Sequence, residues 1–423
     1  MTTRPTADIA SAPAPRKASS TTPLREVLLS LETGSRPKGG AAGITEGVPS
    51  LSAEHITRDG TFDFTSLRYV PRAFYDQMSR GHIRTGDILI VKDGATTGKV
   101  AFVDPDFPFR EAVVNEHVFL CRPNPALVDP RFLFYWLWGL AGHSAIRANF
   151  QGAAIGGINQ SFADVVRVPT PSLTEQRKVV ALISEQLTLA TRAARAADQR
   201  VDAVATLRSA CLRAAFDDNA LRSCKKVTIG DVASLVIDGP HITPVYVPAG
   251  VPFITVRNIV NRCLDFSNTS FITPEDHATF SRRGKAEPGD ILYSKDGTLG
   301  IPCLVDDSRE FSFFVSVALI KLRRDRTVPD YVCYSLESPQ VLEQVDRLAA
   351  GAGLKHMVLK SIRLLQLPLP STETQDAIAA RLRGRLGAIE QALAAASEER
   401  DAVYRLPPAI IRRAFQGMVT DAE

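Results

Sequence analysis

The sequence lacks three features that would place it in familiar classes. No apolar run reaches the roughly 18 residues that a membrane-spanning helix needs, so no segment of the 423-residue chain is expected to cross a bilayer. The six cysteines stand singly, without the close pair that begins a zinc site or a redox motif. Such usage suits a reducing cytoplasm. The formal net charge of +4 is small for a protein that would neutralise many phosphates unaided.

Catalytic motifs are also missing. The stretch from Gly94 to Lys99 superficially resembles a phosphate-binding loop, but only three residues separate Gly94 from Gly98. Val100 also stands where that loop requires Ser or Thr. The sequence has no Asn-Pro-Pro-Tyr adenine-methylase motif and no glycine-rich cofactor loop, and its seven histidines lie apart. We therefore expect a protein with no catalytic site, cofactor or metal of its own.

Residues 1–22 differ in composition from the rest of the chain. They are rich in Ala, Pro, Ser and Thr and contain few large apolar residues, so they are predicted to form a disordered tail. An organellar targeting peptide is the alternative interpretation. Such a peptide should form an amphipathic helix, which Pro5, Pro13 and Pro15 would interrupt.

After this tail the sequence repeats itself. The phrase Gly-Asp-Ile-Leu-x-x-Lys-Asp-Gly at 86–94 returns at 289–297, 203 residues later. The segment Pro-x-Pro-Ser-x-x-x-Gln at 169–176 returns at 368–375, 199 residues later. Small loop deletions account for the difference between the two shifts. A repeat of this length predicts two homologous modules.

The first part of each module, at 23–171 and 217–370, is predicted to be an α+β domain. Short apolar runs alternate there with Gly, Pro and Asp, which is typical of strands and turns. One helix is expected in each domain, near 129–140 and near 329–342, because aromatic and aliphatic residues recur at helical spacing.

The second part of each module, at 172–216 and 371–418, has the pattern of a long helix. Gly and Pro become scarce, and Ser172 with Glu175 predicts a capping box at the first helix start. Apolar residues recur in heptads. In the first helix they are Val180, Ile183, Leu187, Ala190, Ala194, Ala197, Val201 and Val204, and in the second Ala379, Leu382, Leu386, Ile389, Leu393, Ala396 and Val403.

Such a stripe has two interpretations. A single helix of this kind would pack on its own domain, but two matching helices can bury their stripes against each other. We favour an antiparallel coiled coil, roughly 60 Å long at 1.5 Å per residue. The predicted fold class is thus α+β, with two homologous domains separated by two long helices in a pseudo-two-fold arrangement.

This order of parts resembles that of type I restriction-modification specificity subunits. The two GDIL-x-x-KDG phrases and the helix starts SLTEQRKVVALI and STETQDAIAARL carry the resemblance, which covers almost the whole chain after the tail. It implies that 23–171 and 217–370 are target recognition domains, each recognising one half of a bipartite, asymmetric DNA target. It also implies that the spacer helices at 172–216 and 371–418 fix the gap between the halves.

The resemblance further implies partners. We expect double-stranded DNA, two methyltransferase subunits docked on the helices, and restriction subunits that translocate and cut DNA. S-adenosylmethionine, and ATP with Mg²⁺, would belong to those subunits. Such complexes act in the bacterial or archaeal cytoplasm, and no membrane partner is expected. A balanced charge is tolerable if partner subunits supply many of the phosphate contacts.

Candidate DNA-contacting residues lie in loops around the repeated phrases. For phosphate contact, which cations and hydroxyl groups provide, we select Lys92, Thr96, Thr97, Lys99, Lys295 and Thr298. For base recognition, which needs paired donors and acceptors, we select Arg36, Lys38, Gln151, Asn159, Gln160, Arg257, Asn258, Lys355 and His356. A solvated side chain is the alternative for each. Gly86, Asp87, Gly289 and Asp290 are expected to have structural roles.

Two other classes of function are compatible with parts of this sequence. A protein-interaction scaffold would explain the coiled coil and the balanced charge, but salt-sensitive, sequence-dependent DNA binding by the assembled complex would exclude it. A fused nuclease or methylase is disfavoured because no catalytic constellation is visible. Turnover by the isolated chain would revive that hypothesis.

Overall fold

The computed structural model describes residues 20–40, 43–152, 156–260, 262–349, 356–416 and 418. The chain divides into two compact units. Unit 1 comprises Met1–Ala196 with Asp401–Glu423, and unit 2 comprises Ala197–Arg400. Each unit therefore takes its sheets from one copy of the repeat and its long-helix segments from both copies.

Unit 1 is a mixed α+β structure. Its strands are β1 (Thr21–Pro23), β2 (Leu28–Thr33), β3 (Val48–Leu51), β4 (Arg68–Val70), β5 (Ile88–Val91), β6 (Val100–Phe102), β7 (Val113–Val114), β8 (Val118–Pro123) and β9 (Arg167–Pro169). Its helices include α1 (Arg72–Gln77), α2 (Pro130–Trp138), α3 (Leu140–Arg147), α4 (Phe162–Val165) and the first part of α5 (Leu173–Phe216). The sheets have the strand orders β2-β8-β5-β6, β4-β3-β7 and β1-β9.

Unit 2 repeats this plan. Its strands are β10 (Lys226–Thr228), β11 (Ala233–Asp238), β12 (Val251–Ile254), β13 (Ile259–Val260), β14 (Cys263–Leu264), β15 (Ser270–Ile272), β16 (Ile291–Ser294), β17 (Pro302–Leu304), β18 (Ser312–Phe313), β19 (Val317–Leu322) and β20 (Gln366–Pro368). Its helices include α6 (Asn219–Arg222), α7 (Ile229–Val232), α8 (Pro274–Phe280), α9 (Pro329–Glu337), α10 (Pro339–Leu348), α11 (Leu359–Leu364) and most of α12 (Thr372–Tyr404). The last helix, α13 (Leu406–Phe415), belongs to unit 1.

The repeated sequence adopts the same strand pairing in both units. The four-stranded sheet β2-β8-β5-β6 has its counterpart in β11-β19-β16-β17. The parallel contact between β3 and β7 recurs between β12 and β18. Even the irregular register between Leu28 and Ser30 of β2 returns between Ala233 and Leu235 of β11. The predicted α+β class and the duplication are confirmed.

The central strand of each large sheet is buried on both faces. In β5, Ile88 and Ile90 pack with the helices, whereas Leu89 and Val91 pack into a second cluster on the opposite face. Successive side chains of a strand point to opposite faces, so the apolar run Ile88–Val91 supplies both clusters at once. Fully burying one such side chain contributes about 1.5–3 kcal/mol. The repeated phrase therefore anchors the middle of each unit.

The long helices pack against each other in antiparallel fashion inside each unit. In unit 2, Arg200 of α5 pairs with Glu399 of α12 at 2.6 Å, and Arg208 pairs with Glu390 at 2.7 Å. The partner number falls as the first number rises, as an antiparallel pair requires. In unit 1, the core contains Ile183 of α5 together with Ile411 and Phe415 of α13. None of the predicted heptad positions is exposed.

The predicted helix ends need correction in the second copy. The capping box at Ser172 is present, since the Ser172 N–H donates to Glu175 at 3.0 Å. The second helix was expected to run unbroken over 371–418, but it ends at Tyr404 and a new helix begins at Leu406. Pro407 and Pro408 explain the break, because proline lacks the N–H of an interior helical bond and is tolerated in a first turn.

Two other predicted boundaries also change. The helix expected over 329–342 is split into α9 and α10 at Ser338, directly before Pro339. A residue before proline avoids the helical region. The tail predicted over 1–22 extends too far, since β1 pairs Thr21 with Pro169. Residues 1–19 lie outside the described residues.

Candidate nucleic-acid interface

Each repeated phrase begins with a tight turn before the central strand. Gly86 has a φ of +91° and Gly289 has a φ of +85°. Glycine adopts this left-handed region readily because it has no Cβ. The two glycines are thus required by the turn that delivers the chain into β5 and β16.

The aspartates of the phrases are buried behind that turn. Asp87 forms an ion pair with Arg122 at 2.8 Å, and Asp290 forms one with Lys321 at 2.8 Å. Each carboxylate also accepts a hydrogen bond from a backbone N–H of its turn, at 2.8 Å in both units. The hydrogen bond from Arg122 to Asp87 raises the pKa of Arg122, which keeps the guanidinium charged. These residues hold the strands together, in agreement with the structural role expected for them.

The loop that follows each central strand packs against a later loop of the same unit. The Lys92 carbonyl accepts a hydrogen bond from the Ile158 N–H at 2.8 Å. In unit 2 the Lys295 carbonyl accepts one from the Met357 N–H at 2.9 Å. We call each arrangement the paired loops, made of 92–99 with 151–152 and 156–160 in unit 1 and of 295–298 with 356–357 in unit 2. Some residues of the two predicted groups therefore lie in neighbouring loops, Lys92 near Asn159 in unit 1 and Lys295 near His356 in unit 2.

Most of the unit 1 candidates reach the surface. Arg36, Lys38, Gln151, Asn159 and Gln160 are exposed, and Lys92, Thr96 and Lys99 are half-buried. The Lys92 side chain is 33% exposed, and its Nζ lies 3.8 Å from Asp93. Lys99 Nζ donates to the carbonyl of Ile56 at 3.0 Å, which pins this side chain to the neighbouring loop. The phosphate contact predicted for Thr97 is corrected, because Thr97 is buried and its hydroxyl donates to the Gly94 carbonyl at 2.7 Å.

Two of the unit 2 candidates are structural rather than surface residues. Arg257, Thr298 and His356 are exposed, and Lys355 lies outside the described residues. Asn258 is 6% exposed, and its amide accepts from the Thr255 N–H at 3.0 Å and donates to the Asp265 carbonyl at 3.1 Å. The Lys295 side chain is 8% exposed and pairs with Asp238 at 3.4 Å. Neither group can reach DNA without breaking these contacts, so both predictions are corrected.

A cluster of ionisable side chains beside the paired loops of unit 1 was missed. His117 Nδ1 lies 2.6 Å from Asp93 Oδ1, and Arg36 Nε lies 2.6 Å from Glu116 Oε1. A signal for this cluster was present in the sequence. If β5 and β8 are antiparallel neighbours, the residues after β5 must lie beside those before β8.

The corresponding surface of unit 2 has different residues. Asp238 lies at the end of β11, where His241 Nε2 approaches it at 3.4 Å and Arg283 at 3.7 Å. The adjoining loop exposes Ile242, Val245 and Tyr246, which are all about half or more accessible to solvent. The two units therefore share a scaffold and differ in the side chains that they present beside it.

Two observations on the described residues concern metal binding and the buried thiol of Cys303. Among them, no three or more His, Cys, Asp or Glu side chains are arranged to hold a metal ion. Burial raises the pKa of the Cys303 thiol to about 12, so this thiol stays protonated. No described helix combines the length and apolar character needed to cross a membrane.

Comparison with known proteins identifies relatives along most of the chain. No family model matches. The putative type I restriction enzyme MjaX specificity subunit of Methanocaldococcus jannaschii is 22% identical over 88% of this chain and 87% of its own length. The type I restriction enzyme EcoBI specificity subunit of Escherichia coli is 22% identical over 90% of this chain and 84% of its own length.

Solved structures share the fold. A chain from a study of complex assembly and conformational transition of the type I R-M system has a TM-score of 0.73 at 19% identity, covering 97% of this chain and 100% of that chain. The HsdS subunit from Thermoanaerobacter tengcongensis has a TM-score of 0.57 at 18% identity, with 97% and 99% covered. The chain thus shares its duplicated fold with these structures and, over most of its length, is similar in sequence to type I restriction enzyme specificity subunits.

Proposed function

We propose that this chain is the DNA sequence-recognition subunit of a type I restriction-modification complex. Each unit recognises one half of a bipartite, asymmetric target, and the long helices fix the number of base pairs between the halves. The observation that carries this proposal is the repeat itself: one scaffold occurs twice, with different exposed side chains beside the same paired loops. Two copies with different side chains suit two different half-sites.

The exposed residues of the paired loops have the chemistry that base recognition needs. Gln151, Asn159 and Gln160 in unit 1 carry amides, which can both donate to and accept from a base edge. Unit 2 offers Arg257 and His356 instead, which donate hydrogen bonds. Arginine pairs with guanine and the amides pair with adenine, so the two units should prefer different bases.

The phosphate contacts of the two units should also differ. Lys92 is partly accessible, whereas its counterpart Lys295 is enclosed by Asp238. Unit 1 can therefore use this lysine to neutralise a phosphate, and unit 2 must rely on other cations. Arg282 and Arg283 are exposed in unit 2 and are the replacements that we favour.

Methylation and cleavage belong to partner subunits in this proposal. Two methyltransferase subunits bind the long helices and carry S-adenosylmethionine, while restriction subunits use ATP with Mg²⁺ to translocate and cut. This chain itself holds no cofactor. The complex acts in a bacterial or archaeal cytoplasm. Its modest net charge of +4 supports this division, because partners would then supply much of the phosphate contact.

The test is methylation by the reconstituted complex. The chain is mixed with its methyltransferase subunits, genomic DNA is treated, and the methylated adenines are mapped. We expect one split motif, with two fixed half-sites and one fixed spacer. Failure to methylate any split motif, or activity of the methyltransferase on the same motif without this chain, would refute the proposal.

A further inference from the structure

A fully buried glutamine lies in the first turn of the first long helix. Gln176 of α5 is 0% exposed, and its amide is completely hydrogen-bonded. Its Oε1 accepts from the Asp129 N–H at 2.7 Å. Its Nε2 donates to the carbonyls of Pro171 at 2.8 Å and Leu127 at 3.3 Å. One side chain thus ties the helix start to the loop that precedes α2.

The second long helix has the same arrangement. Gln375 of α12 is 0% exposed, and its Oε1 accepts from the Val328 N–H at 2.9 Å. Its Nε2 donates to the carbonyls of Pro370 at 2.9 Å and Arg326 at 3.1 Å. All three partners occupy positions equivalent to those around Gln176. The amide geometry has therefore been reproduced in both copies, although the surrounding residues differ.

These hydrogen bonds join the start of each long helix to the start of a domain helix. Asp129 and Val328 are the N-cap residues of α2 and α9, the helices that pack directly on the sheets. A buried backbone N–H or carbonyl without a partner is costly, so each amide must stay in place. Only an amide of this length supplies one acceptor and two donors at once. Glutamate would lose the donors, and methionine would lose all three bonds.

We infer that Gln176 and Gln375 are positioning residues that fix the orientation of each recognition domain on its own long helix. The inference rests on the proposed function, because it assigns the glutamines a role in spacer selectivity. If the helices set the gap between half-sites, a loose joint at either helix start lets the domain accept gaps of other lengths. The bases read by the domain do not change, since the paired loops lie elsewhere.

The experiment uses the full chain assembled with its methyltransferase subunits. Methylation rates are measured on duplexes with the native spacer and with spacers one base pair shorter or longer. Gln176→Met and Gln375→Met are the test variants, and Gln391→Met, at an exposed glutamine of α12, is the control. In each test variant we expect the preference for the native spacer to fall by about tenfold, equivalent to about 1.4 kcal/mol. The control should keep the wild-type preference.

The outcomes separate the inference from the proposed function. If the wild-type complex methylates no split motif, the proposed function fails. If the wild-type complex does methylate a split motif, but both folded test variants keep the wild-type spacer preference and half-sites, the inference is wrong and the proposed function stands. A loss of base preference with spacer preference intact would also overturn the inference.

A second measurement covers variants that fail to fold. Hydrogen exchange on the wild-type complex reports how readily the Asp129 and Val328 amides open. We expect both amides to exchange only through unfolding of their whole unit. Exchange through a local opening of much lower free energy would show a joint that is already loose, and would overturn the inference.

Discussion

Replacing Glu337 by Gln should strongly destabilise unit 2. Glu337 ends α9 with its side chain 5% exposed, and it pairs with Arg208 of α5 through two hydrogen bonds. Arg262 Nε lies 2.5 Å from the same carboxylate, as an ion pair without hydrogen-bond alignment. Burial alone would lower the pKa of Arg208. The hydrogen bonds and charges of Glu337 and Glu390 raise it by more, so the net shift of the Arg208 pKa is upward. The variant therefore leaves a buried guanidinium that remains charged.

The size of the effect follows from this burial. Removing one partner of a buried ion pair costs about 3–5 kcal/mol. Arg208 keeps its second partner, Glu390, at 2.7 Å, so we expect the lower end, about 3 kcal/mol. For a unit of about 200 residues this corresponds to a fall in Tm of roughly 6–12 °C.

The assay is thermal and urea unfolding of the full chain, followed for each transition separately because two units need not unfold together. Glu390→Gln is the matched control, since it removes a partner of the same arginine from a side chain that is 61% exposed. An exposed pair contributes about 0–1 kcal/mol. Equal losses in the two variants, or a loss below about 1 kcal/mol for Glu337→Gln, would show that burial does not make the Glu337–Arg208 pair essential to unit 2.

Two further predictions concern DNA binding and acid stability. Lys92→Gln should reduce the steepness of log DNA affinity against log salt concentration by about 0.9, the value of one phosphate contact. Lys295→Gln should leave this slope unchanged and destabilise unit 2. Salt titrations of DNA binding and urea unfolding check the two variants, and equal changes in slope would contradict the argument from burial. Burial opposes ionisation of Glu32, but the Gly81 N–H and the charges of Arg122 and Arg84 lower its pKa below the usual 4.5. The stabilisation from Glu32 should therefore be present above that value and lost as pH falls through the lowered folded-state pKa. In Glu32→Gln this loss should disappear, and an unchanged pH dependence of unfolding would contradict the assignment.

Patterns local to a few residues were predictable from the sequence. The run Ile88–Val91 became the doubly buried central strand because a continuous apolar run suits a strand covered on both faces. The heptads predicted the long helices because their period matches the helix. The break before Leu406 was also encoded locally, by Pro407 and Pro408, and the prediction gave these prolines too little weight.

Residues whose role depends on distant neighbours were not predictable in the same way. Lys295 and Lys92 occupy the same place in the repeated phrase, and each lies 3.8 Å from the aspartate that follows it. Lys295 also pairs with Asp238, which is far away in sequence and buried. Asn258 was predicted to contact bases because its side chain carries an amide, but that amide donates a hydrogen bond to the Asp265 carbonyl instead. Identical motifs thus acquire different surroundings when the loops that face them diverge.

In the proposed function, the long helices set the distance between the two half-sites. The most direct test inserts seven residues into α5 at the 196/197 boundary and seven into α12 at the 400/401 boundary, where the two units meet in sequence. One heptad adds about 10.5 Å to each helix and turns its face by only about 20°. Because one base pair rises about 3.4 Å, mapping methylated adenines in a host with this variant should show unchanged half-sites and a spacer about three base pairs longer. Methylation at the original spacer, or at different half-site bases, would contradict the account.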